Sequence, residues 1–173
     1  MILGLDISTS ITGFCVLSDD GDIIRSGYID MRKEKDFFAK VRIAKEKIIE
    51  IIKEYEIDDV WIEQSLQAFR PGMSSIKTLL TLAKFNGILS WVIWEETNKE
   101  PNYIGASSAR KSCGIKIPRG EKAKKVVVNF LLDTEPSFVV DYTKFGNIKQ
   151  HFFDVADAIV VAKAGYVCRL NQK

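Results

Sequence analysis

The stretch Ile2-Leu3-Gly4-Leu5-Asp6-Ile7-Ser8-Thr9-Ser10-Ile11-Thr12-Gly13-Phe14 decides how the rest of the chain is read. From Ile2 to Ile7 it is apolar but for one acid, as a buried strand requires, and hydroxyl residues then supply a turn. Two more strand-like segments follow, Gly13 to Leu17 and Ile23 to Ile29, the second entered through Asp19-Asp20-Gly21. Three short strands joined by tight turns predict an antiparallel meander.

Outward from the meander, Phe37, Val41, Ala44, Ile48, Ile52 and Tyr55 recur every three or four residues, which predicts an amphipathic helix over Asp36 to Tyr55. Val60-Trp61-Ile62 reads as a short buried strand. Arg70-Pro71-Gly72 marks a loop, and Ser74 or Ser75 caps a second helix running to about Trp94. That helix is apolar nearly all round, so it needs cover on two sides, one from its own sheet and the other from a second subunit; Ala83, Gly87 and Ser90 would let a partner helix come close. Tyr103-Ile104 is a fifth strand. Ser107 or Ser108 caps a short helix, and further helices are expected over Lys122 to Leu132 and Phe152 to Val167. Strands and helices in this order predict an α/β fold, a mixed five-stranded sheet with helices on both faces.

A length of 173 residues suits a single domain, here 1–173. Apolar residues at 46% and charged residues at 28% are globular proportions and exclude a disordered or fibrous chain. A formal charge of +2 neither demands nor excludes a polyanionic partner. Cys15, Cys113 and Cys168 show no paired spacing, and read as reduced thiols. No leader and no apolar run of membrane length stand out, which places the protein in the cytoplasm of a bacterium or a phage-infected cell, without a membrane.

The chemistry is expected at four acids. Asp6 and Glu63 each end an apolar strand, and if those strands are parallel neighbours their ends lie roughly 5 Å apart. Ligands of such sheets gather at the carboxyl ends of strands. Asp154 and Asp157 share a face of the closing helix, Phe152-Phe153-Asp154-Val155-Ala156-Asp157-Ala158, which is apolar enough to be buried and has no basic residue until Lys163. Buried acids without partners repel one another, and divalent cations relieve them; an all-oxygen ligand set suits Mg2+, with Mn2+ as substitute, rather than zinc. Taken singly, each acid is as well explained as a cap, a turn or a paired surface charge.

At these residues the chain resembles the RuvC Holliday junction resolvases of the ribonuclease H-like superfamily. Asp6 followed by Thr12-Gly13 is similar to their opening strand and turn, Glu63-Gln64 to the pair ending their fourth strand, and Asp154-Val155-Ala156-Asp157-Ala158 to their closing helix. Actin-like ATPases share the first strands and a similar loop. They need a second lobe, for which 173 residues leave no room, and no nucleotide cofactor is expected. The resemblance implies that Asp6, Glu63, Asp154 and Asp157 hold two divalent ions for phosphodiester hydrolysis, Asp6 bridging them. It implies a homodimer making paired cuts in four-way DNA junctions, with 5′-phosphate and 3′-hydroxyl ends. A broader branched-DNA or flap enzyme of phage type and a non-catalytic DNA-binding module are the alternatives. His151 is either a proton shuttle or second ligand shell group, or a solvated helix cap.

The expected DNA surface is the basic span Arg110, Lys111, Lys116, Arg119, Lys122, Lys124 and Lys125, which contains only Glu121 in opposition. Ser108-Ala109-Arg110-Lys111 and Gly120-Glu121-Lys122 are similar to the places where the family carries lysines, so Lys111 and Lys122 are the first phosphate-contact candidates. The family often has an aromatic residue three positions after the glutamate, where this chain has Leu66. Phe69, beside Arg70, either takes over by stacking on an unpaired base or anchors its loop on the core.

Overall fold

The computed structural model describes residues 1–64 and 75–171. Its elements are β1 (Ile2–Asp6), β2 (Ile11–Leu17), β3 (Ile23–Asp30), α1 (Phe37–Glu54), β4 (Asp59–Glu63), α2 (Ile76–Thr97), β5 (Asn102–Ile104), α3 (Ala106–Ser112), α4 (Ala123–Thr134) and α5 (His151–Leu170). The strands form one sheet in the order β3-β2-β1-β4-β5. β1 to β3 are the expected antiparallel meander, and β4 and β5 run parallel to β1. The expected strands and helices are thus present within a few residues of their predicted ends. Leu66, Phe69, Arg70 and the loop at Pro71-Gly72 lie outside the described residues.

Alternation along the strands divides the core in two. Leu3, Leu5, Phe14 and Val16 face α1 and α2, whereas Ile2, Cys15 and Leu17 face α3, α4 and α5. All seven residues of β2 are buried, as befits a strand with neighbours on both edges and helices on both faces. α1 starts where the Asp36 carboxylate accepts from the Ala39 N–H at 2.8 Å, and α2 where the Ser75 hydroxyl accepts from the Thr78 N–H at 3.1 Å. The expected cap of α3 is displaced, and α4 begins one residue later than expected. α3 begins directly after β5 with Gly105 as its cap, which puts Ser107 and Ser108 inside the helix; Lys122 is itself the cap of α4 and offers no side-chain bond.

α2 also departs from the reading that no apolar run has membrane length. Its 22 residues are long and apolar enough to cross a bilayer, because its charges, Lys77, Lys84, Glu95 and Glu96, are few for its length. One side of it, with Phe85, Leu89, Val92 and Ile93, is buried. Leu80, Trp91 and Trp94 stay exposed.

Candidate active site

Local sequence sets the first acid in place. Asp6 ends β1, and the hydroxyls after it close a compact turn: Ser8 Oγ accepts from the Ile11 N–H at 3.1 Å, and fully buried Thr12 donates its hydroxyl to the Ser8 carbonyl at 3.1 Å. Lys40 of α1 steadies the same turn by donating to the Thr9 carbonyl at 2.8 Å. The Ser/Thr-rich run is therefore structural, holding the chain as it leaves Asp6.

The second acid arrives through register. Leu5 pairs with Ile62 in the parallel β1–β4 ladder, so the next residue on each strand, Asp6 and Glu63, stand side by side at the carboxyl edge. The Gln64 N–H donates to the Ile104 carbonyl at 2.8 Å and holds the end of β4 against β5.

The third arrives with α5, which lies across β1 and β2 at backbone distance. A Cβ on Gly4 would stand 2.5 Å from the Ala158 carbonyl oxygen and 2.6 Å from the Ala162 methyl, and one on Gly13 would overlap the Asp154 carbonyl. Only glycine admits that approach. Among the described residues, Asp6, Glu63 and Asp157 bring carboxylate oxygens within 4.8 Å of one another. Asp154 stands outside that group, held by Lys124, whose ammonium lies 3.1 Å from Asp154 and 3.5 Å from Asp157.

Lys124 corrects the expectation that the acids lack a basic partner. The run around Asp154 and Asp157 indeed has none, but α4 reaches over from elsewhere in the chain. Burial, opposed by Lys124 and Arg110, leaves the Asp157 carboxyl raised. Burial and then Asp157 push Glu63 up to about 7, and burial followed by Glu63 and Asp157 holds Asp6 well above the usual carboxylate range. For Lys124, burial pulls downward but Asp157 and Asp154 prevail, and its ammonium is held more firmly than usual. The donor set is all oxygen, and one lysine and Arg110 fall short of restoring ordinary carboxylate behaviour, so the cluster fits a divalent cation.

Basic hollows flank the acids. One, of 210 Å3, is lined by Arg110, Lys111 and Lys116 around Gly114 and Ile115; the other, of 620 Å3, lies along α4 with Lys122, Lys124 and Lys125. Arg110 and Lys124 belong to the hollows and also face the acids. The family resemblance pointed to Lys111 and Lys122, both exposed, while the residues turned to the acids are Arg110 and Lys124. Arg119 is exposed on the connector before α4. His151 is not a cap: Gln150 occupies that position, and the imidazole stacks on Tyr28 of β3 with ring centroids 4.1 Å apart. Burial, then Arg32 and Lys149, lower its pKa.

A mixed sheet in this order, with acids at the ends of its first and fourth strands and on its closing helix, defines a protein of the ribonuclease H-like fold. The family model described as crossover junction endodeoxyribonuclease RuvC matches residues 2–164, and the chain belongs to that family. It is 27% identical over 173 residues to the crossover junction endodeoxyribonuclease RuvC of Aliarcobacter butzleri, covering 93% of this chain and 94% of that one. The corresponding protein of Campylobacter hominis is 28% identical, covering 93% and 92%. Among solved structures, RuvC of T. thermophilus in complex with Holliday junction substrate superposes with a TM-score of 0.68 at 13% identity, over 98% of this chain and 95% of that one. The yeast mitochondrial Holliday junction resolvase Ydc2 superposes at 0.63 and 14% identity, over 99% and 80%. At such identities the two structures speak for the fold. The family uses a divalent metal, in keeping with the acid cluster.

Proposed function

We propose that this chain is a single nuclease domain that cleaves four-way DNA junctions by metal-dependent phosphodiester hydrolysis, leaving 5′-phosphate and 3′-hydroxyl ends. The observation that carries the reading is the meeting of Asp6, Glu63 and Asp157 within 4.8 Å, between two basic hollows, in a member of the RuvC family. Asp6, Glu63 and Asp157, with Asp154 beside them, would hold two Mg2+ ions, or Mn2+ in their place. Bound there, the ions supply activation of the attacking water and neutralisation of charge at the reacting phosphate. The chain's own part is to bring the phosphate in. Arg110 and Lys124 place fixed positive charge beside the acids, and Lys111, Lys116, Arg119 and Lys122 extend it for the flanking phosphates. In this reading Phe69 and Arg70 would also contact the DNA.

Paired cuts need two sites, and a two-fold dimer through α2 would supply them. Leu80, Gly87, Trp91 and Trp94 follow one another at intervals of seven, four and three residues, which aligns them along one exposed side of the helix. An aromatic and aliphatic stripe of this kind is unusual on a free surface. The setting in this reading is the cytoplasm.

The test is incubation of labelled four-way, three-way, flap and linear duplex DNAs with magnesium, followed by mapping of the cut strands. Symmetrical nicks in opposed strands of the four-way junction, and little cutting of linear duplex, are expected. Preferential cutting of flaps would replace this reading with the broader branched-DNA enzyme, and binding with no cutting at all would make the chain a DNA-binding module.

A further inference from the structure

The connector between α4 and α5 carries a turn that the nuclease reading leaves unused. Tyr142 and Ile148 pair in an antiparallel bridge, the Thr143 N–H donates to the Asn147 carbonyl at 2.7 Å, and Gly146 takes φ of 75° to close the reversal. Lys149 pairs with Asp141 at 3.0 Å across the base. The turn is therefore well braced, yet its tip presents Phe145 to water with 79% of its surface exposed. The Lys144 ammonium sits 4.9 Å from the Phe145 ring centroid. Between this turn and α4 runs the 620 Å3 groove, lined by Lys122, Lys124 and Lys125 on one side and by Tyr142 and Phe153 on the other. Lys124, on the groove wall, also lies 3.1 Å from Asp154 and 3.5 Å from Asp157, which places that end of the groove beside the acid cluster. Lysines on one wall and aromatic rings on the other are complementary to a strand with charged phosphates and flat bases.

We propose that this groove receives an unpaired DNA strand leaving the acid cluster, its phosphates against Lys122 and Lys125 and a base stacked on Phe145 at the tip of the turn. The assignment rests on the nuclease reading above and deepens it, making the turn an element that distinguishes branched from continuous DNA. A fully stacked duplex offers no free base face to Phe145, whereas a branch point does.

The experiment is equilibrium binding of the full chain, without divalent metal, to a fluorescent four-way junction and to a linear duplex of equal length. A 2-aminopurine at the branch point reports stacking. Phe145→Ala should weaken junction binding about tenfold, leave duplex binding within about twofold, and abolish the 2-aminopurine quench that the parent shows; Phe145→Trp should behave as the parent. Because Phe145 is so exposed, thermal melts of parent and variants should coincide. Unchanged junction binding by Phe145→Ala, or equal weakening on both DNAs, overturns the stacking assignment and leaves the nuclease reading standing. A parent that prefers neither DNA and cuts neither when magnesium is added overturns both.

Discussion

Glu63 ends β4 mostly removed from water, and the shift of its carboxyl from 4.5 to about 7 has a consequence for stability. Below pH 4.5 it is protonated in both folded and unfolded chains. As pH rises toward 7 the unfolded chain loses the proton first, so stability falls across that window and the full penalty stands above it. In the absence of metal, Glu63→Gln should therefore gain on the order of 3 kcal/mol on the parent between pH 4.5 and pH 8. Magnesium at pH 8 should restore the parent and do little for the variant. Thermal melts at the two pH values, with and without magnesium, check this, and parallel pH profiles would refute it. Asp6→Asn, Glu63→Gln and Asp157→Asn should each abolish cleavage while leaving junction binding in place; substantial magnesium-dependent cutting by any of them would falsify its assigned role. Lys124 lies against Asp154 and Asp157 and would compete with a cation for them. Lys124→Met should consequently bind magnesium more tightly by calorimetry, and unchanged affinity would remove it from the site.

At the scale of elements, the closing helix carries its acids to the strand ends only because β1 and β2 have glycine beneath it. Gly13→Ala forces the backbone at Asp154 to move, and overpacking of this sort costs about 1–3 kcal/mol. For a chain of this size that lowers Tm by roughly 2–12 °C. A displacement of the acids by about 1 Å should reduce cleavage about 100-fold, well beyond what the stability loss explains. Full activity in a Gly13→Ala protein would show that α5 tolerates displacement. The basic elements α3 and α4 make a different prediction. Lys111→Ala and Lys122→Ala should each weaken DNA binding and reduce its salt dependence by about one phosphate's worth of slope, and an unaltered slope would return these lysines to ordinary solvated positions.

Among the described residues of the whole molecule, α2 presents an apolar side that the fold leaves open. A Cβ at Gly87 would meet nothing within 4 Å among the described residues, so Gly87→Glu should fold as well as the parent. In a dimer packed through α2 the same change buries an unpaired charge, and should weaken association by roughly 3–5 kcal/mol. Light scattering should then give a dimer for the parent and a monomer for the variant, and the monomer should nick without pairing its cuts. A parent that is monomeric with and without junction DNA would refute the α2 interface.

Local pattern determined the elements of this protein and singled out four acids, which the family resemblance joined into one expected site. Apolar alternation and three-to-four-residue spacing are properties of neighbouring residues, and an acid ending an apolar strand stands out against its own segment. Relations between distant segments had no such local signature. Lys124 meets Asp154 across an intervening connector, Arg110 reaches Glu63 and Asp157 from α3, and Asp154 sits apart from the other three acids. The reason for Gly4 and Gly13 is of the same kind, since it lies in a helix more than a hundred residues away. Those contacts depend on how the layers dock, and only the tertiary structure decided them.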